Sequence, residues 1–170
     1  LVALCEESVY DGIINPDAPC FAAPSSMTAA IREYCLSTGQ PAPQTPADYC
    51  RCIFRSLANR YREIVDILQS MCDFQIKKLH VIGGGSQNKY LMQYAANALN
   101  MPVICGPVEG TALGNTLVQI KSAGLVETLP QMRSIVGRSI DLVTYMPVNA
   151  DVWANAYNTF LEVQNRCNNN

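Results

Sequence analysis

Three consecutive glycines, Gly83–Gly85, separate a short apolar run from an amphipathic stretch in the segment LHVIGGGSQNKYLMQYAANAL, residues 79–99. The run LHVI predicts a strand, and apolar residues at helical spacing predict a helix from Ser86 to about Asn100. A strand that passes through glycines into a helix gathers free backbone N–H groups at the positive end of the helix dipole. Without side chains, the loop lets a nucleotide ring or phosphate lie on the backbone, although a triple glycine also fits a purely structural tight turn.

A second strand, loop and helix follow in the same order. Pro102–Cys105 is predicted as a strand and about Glu109 to Ala123 as a helix. The glycine-bearing segment CGPVEGTALGN begins at the end of this strand and extends into the first turns of the helix. Successive β-α units predict a short parallel sheet, and ligands bind α/β sheets at the carboxyl edge of the strands. Residues 78–125 are therefore predicted to be a β-α-β-α unit that forms the nucleotide-binding side of the domain. Gly114 within the helical pattern costs about 1 kcal/mol relative to Ala, so we expect close packing of a backbone or ligand there.

The remaining segments are predicted to be mostly helical. Residues 1–25 are rich in proline and glycine and are predicted to be mostly irregular, apart from a short extended piece at Gly12–Ile14. Residues 26–73 are predicted to be helical, and residues 126–170 to be a helical tail whose last asparagines fray.

Capping residues mark the boundaries of three of these helices. Ser26 and Gly39 are suited to the start and end of the first, and Thr45 with Asp48 to the start of a long second helix that runs to about Cys72. Asn149 is suited to the start of the C-terminal helix.

The long helix carries one apolar stripe, which we predict to face the core. Its members are Ile53, Leu57, Tyr61, Ile64, Leu68 and Met71. Its charged residues are predicted to form a solvated face: Arg51, Arg55, Arg62, Glu63 and Asp66.

Composition excludes several classes of protein. The 170 residues are 49% apolar with a net charge of −2, which fits about one globular domain and gives no basic field for nucleic acid or an anionic membrane. Neither a membrane-spanning run nor a signal peptide is recognisable, and a chain that opens on Leu1 hints at a fragment or processed product. The chain has eight cysteines and a single histidine, His80, which favours reduced, buried thiols over a disulfide or metal framework. Because reduced thiols are typical of the cytoplasm, the sequence predicts a cytoplasmic protein.

Known phosphate-binding motifs fit the glycine loop only in part. The GxxxxGK[ST] pattern is absent, and GxGxxG fits Gly83 and Gly85 but meets Asn88 where its third glycine should be. A carboxamide one turn into a helix offers a donor and an acceptor, which complement an adenine edge. The alternative role for Asn88 is an ordinary hydrogen bond at the helix terminus.

At these residues the chain resembles the FGGY-type sugar kinases of the actin and hexokinase superfamily, most closely the rhamnulokinase group. The segments that carry the resemblance are IINP, STGQPAPQTPADYCRCIFRSLANRYREIV, LHVIGGGSQNKYLMQYAANAL and GPVEGTALGNTLVQ. It extends from about Val9 to Met146 and covers only the C-terminal third of such kinases.

The resemblance implies an α/β fold, part of a ribonuclease H-like lobe, and ATP-dependent phosphorylation of L-rhamnulose to L-rhamnulose 1-phosphate with Mg²⁺. The site residues it implies are Gly83, Gly84, Gly85, Ser86, Gln87 and Asn88, with Gly84 and Gly85 beneath the adenosine and Asn88 facing the adenine. The catalytic base, the sugar site and the phosphate loops would precede Leu1. The resemblance therefore implies no catalytic or metal-binding residue here and an inactive fragment.

Three alternatives remain open at the level of sequence. The parent kinase could act on xylulose or fuculose, because the sugar site is missing. Residues 78–125 could form a nicotinamide-dinucleotide-binding domain, or the glycines could serve only packing in an interaction module that binds no ligand. We also expect self-association through an uncovered sheet edge or the apolar stripe.

Overall fold

The computed structural model describes residues 2–168, which form six α-helices and one sheet of three short strands. Strands β1 (Leu79–Val81) and β2 (Val103–Cys105) are parallel, with Leu79 opposite Val103. Strand β3 (Val143–Tyr145) is antiparallel to β2 and places Tyr145 opposite Val103. The predicted α/β fold with a short, helix-flanked sheet is confirmed.

The sheet is mixed, whereas the sequence predicted only parallel strands and a wholly helical tail after residue 126. Val143, Thr144 and Tyr145 all have high strand propensity, but three residues are too few to show a period of two. Their strand conformation depends on pairing with the edge of β2, about 40 residues earlier in the chain. That pairing leaves no local signal in the sequence.

Helix α1 (Met27–Ser37) begins and ends at the predicted caps. The Ser26 hydroxyl accepts a hydrogen bond from the Ala29 N–H, and Gly39 adopts a φ of +76° just past the helix. The Gln40 N–H donates to the Cys35 carbonyl at 2.8 Å, which completes a Schellman motif.

Helix α2 (Pro46–Ser70) starts with the predicted capping box. The Asp48 N–H donates to Thr45 Oγ1 at 3.2 Å, and the Thr45 N–H donates back to the Asp48 carboxylate at 3.0 Å. The Ser8 hydroxyl donates to the same carboxylate at 2.6 Å and lowers the pKa of Asp48. The N-terminal segment is thereby attached to the start of the longest helix.

The other four helices lie within the segments predicted to be helical. They are α3 (Lys89–Leu99), α4 (Gly110–Ser122), α5 (Leu129–Ser139) and α6 (Ala150–Asn168). Helix α6 follows Asn149, whose φ is +56°. The fraying predicted at the C-terminus concerns in part Asn169 and Asn170, which lie outside the described residues.

The prediction that the apolar stripe of α2 is buried is wrong for its second half. Ile64, Leu68 and Met71 are 40%, 47% and 77% exposed. The buried side chains are instead mostly small: Ala47, Cys52, Ser56, Ala58, Asn59 and Val65, together with Arg55. Small residues let α3 and the N-terminal segment approach the α2 backbone, so the large apolar residues lie on the flanks of the contact.

The predicted solvated face of α2 also requires correction. Arg55 is buried, where it forms an ion pair with Asp11 and stands over the ring of Trp153. A buried arginine needs such a partner, and the partner lies 44 residues earlier in the chain.

The first 25 residues are irregular, as predicted, but they belong to the core. Short 3₁₀ turns occur at Val2–Glu7 and Pro19–Phe21, and no strand forms at Gly12–Ile14. The backbone of Ile13 is instead paired with a side chain. The Ile13 N–H donates to Gln40 Oε1, and Gln40 Nε2 donates to the Ile13 carbonyl, each at 2.8 Å.

The cysteines whose side chains are described are thiols, as predicted, but they are not uniformly buried. Four are buried, two are half-buried and Cys20 is exposed, while the Cys167 side chain lies outside the described part. His80 is exposed on β1. Among the described residues no group of His, Cys, Asp or Glu could hold a metal ion. No described helix is both long and apolar enough to cross a membrane.

Candidate functional site

The glycine loop connects β1 to α3 through a short 3₁₀ turn. Gly83 adopts a φ of +84°, Gly84–Gln87 form the turn, and Asn88 is the N-cap of α3. The α-helix therefore begins at Lys89 rather than at the predicted Ser86. The Ser86 hydroxyl donates to the Gly83 carbonyl at 2.6 Å and closes the turn.

Two backbone hydrogen bonds join this loop to the loop after β2. The Gly106 N–H donates to the Val81 carbonyl at 2.9 Å, and the Gly83 N–H donates to the Pro107 carbonyl at 3.1 Å. The predicted arrangement is thus observed: both glycine-bearing loops lie at the carboxyl edge of the parallel strands.

The three glycines face open space. A Cβ atom added at Gly83, Gly84 or Gly85 would meet no atom of the described chain within 4 Å outside its immediate neighbours. Only Gly83 has a left-handed φ, so a tight turn explains one glycine of the three. Packing within this chain therefore explains neither Gly84 nor Gly85, and the backbone there is accessible to a ligand.

Asn88 presents only part of the hydrogen-bonding surface that the sequence predicted. Its Oδ1 accepts from the Leu91 N–H at 3.1 Å, which is an ordinary N-cap bond. The alternative role, a hydrogen bond at the helix terminus, is therefore observed for the Asn88 oxygen. The Nδ2 amide has no partner among the described residues and can donate. A ligand at this loop would meet a hydrogen-bond donor.

A cleft of about 290 Å³ lies beside the loop, between the start of α3, the end of β2 with the loop that follows it, and β3. Ser86 and Gln87 line it, as does Lys89 at the first position of α3. Asp141 and Tyr145 form part of the far wall. The sequence did not indicate these last two residues, because β3 brings them to the loop from more than 50 positions away.

The start of α4 packs closely on Ile82, the residue after β1, but Gly114 makes no such contact. A Cβ at Gly110 would lie 3.3 Å from Ile82 Cδ1, whereas a Cβ at Gly114 would meet no described atom within 4 Å. The close packing predicted at Gly114 is thus not observed within this chain.

Comparison with known proteins identifies the family. Residues 2–123 match the model of the C-terminal domain of the FGGY family of carbohydrate kinases. A rhamnulokinase of Bacteroides thetaiotaomicron is 47% identical over 148 residues, which cover 87% of this chain and 30% of that protein. A rhamnulokinase of Pectobacterium atrosepticum is 42% identical over 138 residues, which cover 81% of this chain and 28% of that protein. The chain thus spans less than a third of either relative's length.

Solved structures show the same fold at lower identity. Plasmodium falciparum glycerol kinase with ADP has a TM-score of 0.62 at 20% identity, covering 95% of this chain and 32% of that one. Xylulose kinase from Rhodospirillum rubrum has a TM-score of 0.57 at 19% identity, covering 75% of this chain and 26% of that one. The family match and the identity to these relatives lead to one conclusion: the chain belongs to the FGGY family of carbohydrate kinases and contains the C-terminal domain of that family.

Proposed function

We propose that this chain provides the adenosine side of the nucleotide site in a rhamnulokinase. The parent enzyme would transfer the γ-phosphate of ATP to L-rhamnulose and release L-rhamnulose 1-phosphate. The rhamnulokinase names of the similar relatives support the substrate. The observation that carries the nucleotide role is the open backbone of Gly84 and Gly85 directly before a helix N-terminus, where Asn88 Nδ2 has no partner among the described residues.

Each residue of the loop then has a distinct role. Gly84 and Gly85 allow the adenosine to lie against the backbone, and Gly83 supplies the left-handed turn that leads into them. Asn88 Nδ2 donates to a ring nitrogen of the base while its oxygen caps α3. Ser86 fixes the turn through its bond to Gly83, and Gln87 lines the adjacent cleft.

The remaining parts of the reaction belong to the rest of the parent enzyme. The sugar, the catalytic base and the Mg²⁺ that accompanies the phosphates of ATP would be bound outside this chain.

Two alternative functions are weighed against this proposal. A xylulose or fuculose kinase would differ at the sugar site, which we place outside this chain, so it remains the nearest alternative. A nicotinamide-binding domain is disfavoured because Asn88 replaces the third glycine of the dinucleotide motif. ADP and nicotinamide mononucleotide titrated calorimetrically into the chain test the proposal, which predicts heat of binding for ADP alone because only ADP carries the adenosine.

The Asn88→Ser variant tests the donor role without removing the helix cap. Serine is also a favourable N-cap, so α3 and the melting temperature should be preserved. The loss of the Nδ2 donor should weaken ADP binding a few-fold to about tenfold. Calorimetry should show this loss equally in Asn88→Ala, which also removes the cap. Unchanged ADP affinity in both variants would exclude Asn88 from base recognition.

The chain alone should not catalyse phosphoryl transfer. We expect no L-rhamnulose-dependent consumption of ATP at any protein concentration, because the groups that position the sugar and activate its hydroxyl lie elsewhere in the parent enzyme. A coupled assay for ADP measures this, with a mock preparation as the control. A sugar-dependent rate that is absent from the mock preparation would show that a catalytic base is present in these residues.

We also propose that the chain self-associates and that it is located in the cytoplasm. The structure offers two surfaces for self-association. Among the described strands β1 pairs only on its β2 side, and α2 exposes Ile64, Leu68 and Met71. Such surfaces favour pairing with another chain, so we expect a homodimer or larger species by light scattering. Leu68→Lys should shift the species toward monomer if the stripe is the contact. A monomer at high concentration in the unmodified chain would contradict this expectation.

A further inference from the structure

A second cleft lies where α2, α3 and α6 meet the N-terminal segment. It encloses about 220 Å³ and shares no residue with the cleft beside the glycine loop. Its lining consists mainly of polar and aromatic side chains: Asp11, Arg51, Arg55, Tyr94, Asn97, Asn149, Val152 and Trp153. We refer to it as the arginine cleft.

Two guanidinium groups in this cleft share one carboxylate oxygen. Arg55 and Arg51 both face Oδ1 of Asp11, Arg51 at 3.7 Å. The two arginine side chains are only 10% and 25% exposed, whereas that of Asp11 is 77% exposed. No other described carboxylate lies within ion-pair distance of either arginine. The cleft therefore carries an excess positive charge that is largely removed from water.

The hydrogen bonds of the two arginines leave some of their N–H donors without a partner among the described residues. Arg51 is fixed because its Nε donates to the Tyr10 carbonyl at 2.9 Å and its Nη1 to the Tyr94 hydroxyl at 3.3 Å. The Arg55 guanidinium group has Asp11 as its one hydrogen-bond partner among the described residues, and its central carbon is 5.9 Å from the Trp153 ring centroid. Arg55 thus keeps most of its five N–H donors available.

Asn97 adds a neutral donor to the same wall. Its Oδ1 accepts from Gln93 Nε2 at 2.8 Å and from the Val148 N–H at 2.9 Å. Because the oxygen is engaged twice, the group that Asn97 retains for a ligand is its Nδ2 amide. The cleft thus combines two guanidinium groups and an amide donor around a single exposed acid.

We propose that the arginine cleft binds a small phosphate monoester, with inorganic phosphate as its minimal form. Phosphate oxygens match the paired N–H donors of a guanidinium group, and a dianion would neutralise the excess charge. The volume of the cleft accommodates a phosphate group with a short substituent. Asp11 competes for the same donors, and its exposure lets it move into solvent when the anion binds. This site is independent of the proposed nucleotide site.

Trp153 reports on the cleft directly, because it is the single tryptophan of the chain. We expect inorganic phosphate, titrated at constant ionic strength against chloride, to change its fluorescence saturably. Asp11→Asn should tighten phosphate binding about three- to tenfold, since it removes a competing negative charge but keeps both arginines. Arg55→Lys and Arg51→Gln should each weaken binding by about tenfold or more.

Matched controls separate this site from general charge effects. Arg62→Gln removes another α2 arginine, which pairs with Asp66 outside the cleft, and should leave the phosphate titration unchanged. Gly84→Val should also leave it unchanged, which distinguishes the arginine cleft from the glycine loop. The proposal is overturned if phosphate gives no saturable response, if Asp11→Asn weakens binding, or if the Arg51 and Arg55 variants bind as the unmodified chain does.

Discussion

Gly84→Val is expected to weaken ADP binding by at least about tenfold while the chain still folds, because the added methyl groups occupy the space proposed for the adenosine. A Cβ at Gly84 meets no described atom within 4 Å beyond its immediate neighbours, and the φ of this residue is not left-handed. The added Cβ therefore has room, and the backbone conformation is one that L residues adopt. Calorimetry with ADP and a thermal melt of the same sample measure the two effects separately.

Gly137→Val is the matched control for the added bulk. Gly137 lies in α5, and a Cβ there also meets nothing within 4 Å. We expect ADP to bind this variant as it binds the unmodified chain. If Gly84→Val melts normally and binds ADP with unchanged affinity, the glycine is not part of a nucleotide site.

Phe160→Ala is expected to destabilise the chain by about 3–5 kcal/mol, the usual cost of removing a fully buried phenyl ring. Phe160 is 0% exposed and packs with Ile13 of the N-terminal segment and with Ala156 one turn earlier. It therefore joins the C-terminal helix to residues that have no regular structure of their own. A cost of this size is a large fraction of the stability of an ordinary domain, about 5–15 kcal/mol.

Urea denaturation followed by circular dichroism measures this loss. Val152→Ala is the control on the same helix: Val152 is exposed, so the substitution should change the free energy of unfolding by less than about 0.5 kcal/mol. A loss below about 1 kcal/mol for Phe160→Ala would show that α6 does not depend on its contact with the N-terminal segment.

The sequence predicted the features that depend on neighbouring residues. The Ser26 and Thr45 caps, the Gly39 helix end and the loop at Gly83–Gly85 all arise from backbone preferences within a few positions. The order of β1, α3, β2 and α4 was predictable for the same reason, since two β-α units with short loops form a parallel pair.

Features that depend on distant partners were not predictable. Strand β3 exists because β2 has an open edge, and Arg55 is buried because Asp11 and Trp153 reach it from opposite ends of the chain. The apolar periodicity of α2 gave no indication that its small residues would form the close contact with α3.

The candidate site shows the same division. The glycines and Asn88 were identified from the sequence because strand, loop and helix start are contiguous. The engagement of the Asn88 oxygen by the Leu91 N–H depends on where α3 begins, and the predicted start was three residues too early. The wall formed by Asp141 and Tyr145 depends on β3 and could not be predicted without it.

An ADP titration of the isotopically labelled chain, followed by ¹H–¹⁵N correlation spectra, tests the central claim most directly, because it detects weak binding and locates it. The nucleotide proposal predicts saturable shifts in the backbone amides of Gly83–Asn88 and in the Asn88 side-chain amide, and predicts their loss in Gly84→Val. Shifts that saturate elsewhere in the chain, equal shifts with nicotinamide mononucleotide, which lacks the adenosine, or no shift at millimolar ADP would contradict it.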